Sequence, residues 1–221
     1  MNEDKQMYYF NNEKRFIADP IMYGFKAFYN LIDWAREDLY EWSNKTIKER
    51  RGSFSVGDIL SYRGEVLEQC FNSAIVLNVY AILEDGLKRI SEFYESNIQS
   101  NVEIEHFKFD LFEPNKLNSN IKKYASYLKA IGISIAKNEN YQVLAKWTII
   151  RNSIIHNGDE IIDEKRVKVI KDIVKIDYTL EEVSSYSFAI EFEALELFIT
   201  TVEEYLISIF NYEIPSLKFE K

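Results

Sequence analysis

Proline, glycine, cysteine and histidine are all scarce in this chain. Its 221 residues include three Pro, seven Gly, one Cys and two His. Sandwiches and barrels need more turn residues than that, so a strand-dominated fold is disfavoured and a helical one expected. The lone Cys70 excludes an internal disulfide framework and fits a reducing compartment. It falls on an apolar helical stretch and is read as a small core residue. His106, His156 and Cys70 are far apart, without the paired spacing of a zinc site, so no metal is expected. Neither a Gly-x-Ser-x-Gly elbow nor a glycine-rich dinucleotide loop occurs, and no cofactor is expected. Gly52 and Gly57 have a spacing near that of a phosphate loop, but Asp58 and Ile59 follow where Lys and Ser or Thr would be needed. The sequence has no uninterrupted apolar run long enough to span a bilayer. Residues 1–15 are polar and lack an apolar signal core, which points to the cytoplasm.

What is present is a core and a helical rhythm. Hydrophobic residues make up 47% of the chain, enough to exclude disorder. The net charge of −9 argues against a general polyanion binder. A small site with a local basic rim remains compatible with it. Residues 1–17 read as an arm, 18–212 as one helical domain and 213–221 as a tail. Asp19-Pro20 is an N-cap followed by Pro at a first helical position. Ile21, Phe25, Phe28, Ile32, Ala35, Leu39 and Trp42 then step by fours and threes along one face. A second helix is expected over 61–96, with Leu67, Phe71, Ala74, Ile75, Ile82 and Phe93 as its buried face. That phase puts Asn78 and Asp85 inside the apolar stripe and Glu84 at its edge, where polar groups need partners. Helices over 116–131 and 138–156 follow, stopped by Gly132 and by Asn157-Gly158. Residues 159–184 suit a short helix and then a strand-like connector. A last helix over 185–212 carries Phe188, Phe192, Leu195, Ile199, Val202, Leu206 and Ile209. The expected fold is all-α, a bundle of five to six helices.

The helix over 138–156 holds the residues with chemistry. At about 100° per residue, Val143, Trp147, Ile150 and Ile154 gather on one side. Ala145, Thr148 and Asn152 gather opposite, flanked by Arg151 and His156. Small residues on that side would let a two-fold partner approach, doubling whatever sits near the axis. Taken alone, His156 also suits a helix C-terminus, and Arg151 also suits a structural ion pair. Lys165, Arg166, Lys168, Lys171 and Lys175 are interleaved with acids and read as a mixed-charge surface rather than a basic rim.

Arg151-Asn152, three residues, then His156-Asn157-Gly158 resembles the Arg-x4–6-His signature of the HEPN superfamily (higher eukaryotes and prokaryotes nucleotide-binding). The close match covers residues 151–158, and the helical layout covers 20–212. The resemblance implies a dimeric helical domain whose motif lines a cleft and cleaves RNA without a metal, leaving 2′,3′-cyclic phosphate ends. It also implies phage defence, abortive infection or a toxin–antitoxin pair, with an antitoxin or nucleotidyltransferase as partner. By that resemblance, His156 is the general acid or base, Arg151 steadies the phosphate, and Asn152 orients the group. The residue types suit those roles: imidazole titrates near neutrality, and guanidinium presents a planar fork of donors. Glu84, Asp85 or Asn78 would then support Arg151 or His156. One departure is Gly158, which stands where some toxin members carry a modified Tyr. The alternative is a non-catalytic HEPN module that binds a nucleotide, RNA or a protein.

Overall fold

A computed structural model describes residues 3–49, 54–98, 101–107, 120–133, 139–158, 160–161, 163–178 and 186–210. Among them are six α-helices: α1 (Glu3–Glu49), α2 (Phe54–Asn97), α3 (Asn120–Ala130), α4 (Glu139–Asn157), α5 (Glu164–Ile170) and α6 (Phe192–Phe210). A single 3-10 turn, Ile104–His106, lies between α2 and α3. Three short strands, β1 (Glu160–Ile161), β2 (Lys175–Tyr178) and β3 (Tyr186–Ala189), form an antiparallel sheet in the order β1-β3-β2. The fold is the expected helical one, and the strand-like connector is real.

The chain divides into two compact units. Unit one comprises Met1–Gly24, Val79–Thr148 and Ile199–Lys221; unit two comprises Phe25–Asn78 and Ile149–Phe198. In unit one, Leu83, Leu87, Ile90, Ile121, Leu128, Leu206 and Ile209 are fully buried. Gly86 lets helices close in: a Cβ there would meet both Leu206 methyls at 3.2 and 3.3 Å and the Ile21 methyl at 3.4 Å. In unit two, Phe25, Ile32, Val76, Ile150, Ile170, Leu195 and Phe198 are fully buried. Arg36 ties α1 to α6 there, with a guanidinium nitrogen 2.9 Å from Glu196 and its carbon 5.3 Å from the Phe192 ring centre.

Three expected helix starts shift. Helix α1 begins at Glu3 and carries Pro20 inside it, instead of starting there. An interior Pro costs roughly 3 kcal/mol in an isolated helix. Packing of the preceding turn offsets that cost, with the Lys14 ammonium over the Tyr94 ring at 5.7 Å and Ile21 buried just beyond. Likewise α2 starts at Phe54, so Gly57 is helical. Residues 186–189, expected to open the last helix, form β3 instead, and α6 starts at Phe192. The tail expected over 213–221 lies outside the described residues.

The phase of α2 is the larger correction. Its buried ladder is Asn72, Val76, Val79, Tyr80, Leu83, Leu87, Ile90 and Tyr94, in steps of three and four, and of the expected face Ile75 and Phe93 are buried beside it. Leu67, Ala74, Asn78 and Asp85 lie on the exposed side, and Ile82 is half-buried. Cys70 is exposed too, so it is no core residue. Leu67, Ala74 and Ile82 stand off the buried ladder yet are as apolar as its members, so the sequence writes the face weakly and packing partners choose it. A segment of α2, Val66–Asn97, is long and apolar enough to cross a membrane by length and composition alone.

Candidate functional site

Helix α4 ends where the sequence says it should. Gly158 adopts a φ of +58°, a left-handed conformation that terminates helices and favours glycine. Along α4, Leu144, Trp147, Thr148, Ile150 and Ser153 are buried. Thr148 accounts for its burial by bonding within the chain: its hydroxyl donates to the Leu144 carbonyl at 3.0 Å and lies 2.7 Å from the Tyr80 hydroxyl. The small face expected to admit a second copy is therefore partly filled by α2 at Thr148.

The motif occupies the last two turns of α4. Counting about 100° per residue, Arg151, Ile155, Asn152 and His156 follow one another across an arc of about 140°. Arg151 and Asn152 are half-buried, whereas His156 and Asn157 are exposed. Ile155, between them, keeps 45% of its surface in solvent. The Arg151 guanidinium donates to the Asn152 Oδ1 at 2.8 Å. That bond uses the Asn152 carbonyl oxygen, so its amide NH2 points away from the guanidinium. A guanidinium, a carboxamide donor and an imidazole on one arc suit an oxyanion with a proton-transfer group beside it.

Of the three proposed supports, Asn78 and Asp85 lie outside the expected stripe, and Glu84 stays at a half-buried edge. Asn78 is exposed and its amide donates to the Ala74 carbonyl at 2.8 Å, one turn back on α2. Asp85 is exposed and accepts from the Arg89 guanidinium at 2.6 Å. Glu84 is half-buried, and its charge, after burial and Glu92, helps hold the Tyr124 hydroxyl above its ordinary pKa. None of them is the buried, unsatisfied polar group that the sequence phase implied. Asp85 and Glu84 belong to unit one, and the motif belongs to unit two. His106 is exposed in the 3-10 turn, where its Nδ1 accepts from the Glu103 amide at 3.2 Å. On α5, Lys168 pairs with Glu164 at 2.8 Å and Arg166 stands 3.7 Å from Asp163, as a mixed-charge surface would.

No protein-family profile matches this chain, and neither a curated protein nor a solved structure matches it. Among the described residues, no group of three or more His, Cys, Asp or Glu side chains could hold a metal ion. Sequence reasoning missed Gln69 and Asn72 on α2. The Gln69 amide donates to the Phe188 carbonyl at 3.2 Å and accepts from the Ile190 amide at 3.0 Å. Fully buried Asn72 donates to the Ile190 carbonyl at 2.7 Å. Asn72 sits on the true buried ladder of α2, so the correct phase would have flagged it as a core amide needing a partner.

Proposed function

We propose that this protein is a metal-independent endoribonuclease of the HEPN type, acting in the cytoplasm in phage defence or a toxin–antitoxin system. The observation that carries the reading is the end of α4, where Arg151 and Asn152, half-buried and hydrogen-bonded to each other, share one arc with exposed His156. Thr148, one turn earlier on the same side, is buried, so this side opens to solvent only in the final turns. In the proposed reaction the ribose 2′-oxygen attacks the adjacent phosphorus, and the bond to the 5′-oxygen breaks. The products are a 2′,3′-cyclic phosphate and a 5′-hydroxyl. One group must take the 2′-proton and another must give a proton to the leaving oxygen. Each chain contributes a single motif histidine. A two-fold pair through the motif helix supplies two, with exposed Ile155 as apolar contact between the polar groups. Arg151 and the Asn152 amide hold the phosphate and stabilise its added charge. Gly158 leaves no Tyr for a nucleotidyltransferase to modify, so control by a bound antitoxin fits better.

A second reading has an observation of its own. The acidic chain and the paired cations of α5 are poorly suited to a long polyanion. They favour a non-catalytic module that holds one nucleotide or a protein through the same arc. Incubating RNA with wild type and His156→Ala in EDTA separates the two. The nuclease reading expects cutting by wild type alone. Nucleotide binding without cutting, weakened by Arg151→Ala, selects the module.

A further inference from the structure

We infer that Gln69, assisted by Asn72, is a positioning residue for His156, acting through the small sheet; the functional half of this inference rests on the nuclease reading. A carboxamide is the side chain that offers a donor and an acceptor in the geometry of a peptide. Gln69 uses both on β3, giving to Phe188 and taking from Ile190. The chemistry fixes its orientation, because a carbonyl must meet the NH2 and an amide N–H must meet the oxygen. Asn72, one turn along α2, holds the Ile190 carbonyl from the same side. These bonds take up backbone groups of β3 beyond the residues that β1 covers, since β1 pairs only Glu160 with Ser187 and Ile161 with Tyr186.

The consequence reaches the motif through a short tether. Helix α4 ends at Asn157, Gly158 turns the chain, and β1 begins at Glu160. Four residues of fully extended chain reach at most about 14 Å, so the His156 turn follows wherever β1 is held. The last turn of a helix lacks intrahelical partners for its carbonyls and frays readily. A two-residue strand is a weak anchor by itself. With β3 clipped to α2, β1 has a fixed edge to pair with, and the final turn bearing His156 is held at both ends.

Amide hydrogen exchange on the full-length protein tests this without reference to activity. Gln69→Met conserves volume and removes both bonds. The amides of His156, Asn157, Ile161, Tyr186 and Ser187 are expected to exchange about tenfold faster, as loss of such bonds implies, while those of Trp147 and Ile150 are unchanged. Leu67→Ala, exposed on the same helix, leaves all of them unchanged. In RNA cleavage, Gln69→Met lowers kcat with KM held, the pattern of a displaced proton-transfer group rather than a lost binding contact. If Gln69→Met does not fold, Gln69→Glu, which keeps the acceptor for Ile190 and loses the donor for Phe188, must open the same amides. Unchanged exchange at His156, or equal acceleration at Trp147, overturns the inference. So does local opening with wild-type kcat. If wild type itself cuts no RNA, the nuclease reading fails, and the exchange pattern still decides whether Gln69 tethers the helix end.

Discussion

Unit one and unit two are built from stretches of the same four long helices, yet they treat polar and apolar groups in opposite ways. Unit one draws phenols inward: Tyr80, Tyr94, Tyr127 and Tyr205 are all buried there. The described tyrosines with raised pKa values, Tyr94, Tyr124, Tyr127, Tyr141 and Tyr205, all belong to it. Unit two puts apolar side chains outward. Among the described residues, Tyr23 is the one large exposed hydrophobic of unit one, whereas Leu31, Trp34, Val66, Leu67, Ile155, Val169 and Leu197 lie in unit two. The motif and the clipped sheet are also in unit two. Chemistry at the surface therefore accompanies an unfinished apolar surface, and the finished core stands elsewhere.

The sharpest break between the units is a pair of substitutions with opposite effects. His156→Ala is expected to lower RNA cleavage by about 10²- to 10⁴-fold, the usual worth of a general acid–base group. Because the residue is exposed, its melting temperature should barely move. Leu87→Ala, fully buried in unit one, should cost about 2–5 kcal/mol in denaturant unfolding. A large stability loss from the histidine variant would mean that the motif is structural.

Two glycines of unit one grade the packing more finely. Gly86→Ala forces a Cβ to 3.2 Å from Leu206 and should cost about 1–3 kcal/mol by chemical denaturation. Gly24→Ala meets only the Ile82 methyl at 3.5 Å, an ordinary contact. It should stabilise α1 by about 0.4–1 kcal/mol, by narrowing the unfolded ensemble. Equal effects at both sites would contradict the close approach at Gly86.

Alkali should find unit one first. Burial pushes the Tyr94 hydroxyl up to about 12; burial, and then the Glu95 charge, do the same for Tyr127. A folded pKa above the unfolded value of about 10 means that the unfolded chain loses its protons first. Stability from these groups is thus intact below pH of about 10 and is lost as pH rises through about 12. Phenolate absorbance and helical circular dichroism should change together over that window. Full phenolate formation with helicity retained would show those tyrosines to be accessible.

Legibility in the sequence followed the strength of the local signals. Helix ends at Gly132 and Gly158 were readable because a positive φ favours glycine: these two adopt +100° and +58°. The stripe of α6 from Phe192 to Ile209 was readable because apolar residues concentrate on one side. Around α2 the signal was ambiguous, since Leu67, Ala74 and Ile82 are as apolar as the buried ladder. A one-position error in phase turned exposed Asn78 and Asp85 inward and hid Asn72. Strand β3 was hidden for a different reason: Tyr186 to Ala189 also fits a helical stripe, and pairing with Lys175–Tyr178 decides it. The motif was legible as residue types and spacing. Its exposure was not, because Thr148, on the same side one turn earlier, is buried by packing that only the fold determines.

The most direct test is end-group analysis of RNA incubated with purified protein in EDTA. The account predicts 2′,3′-cyclic phosphate and 5′-hydroxyl ends from wild type, and intact RNA with His156→Ala or Arg151→Ala. Equal cutting by wild type and His156→Ala, or 5′-phosphate ends that vanish when metal is removed, would contradict it.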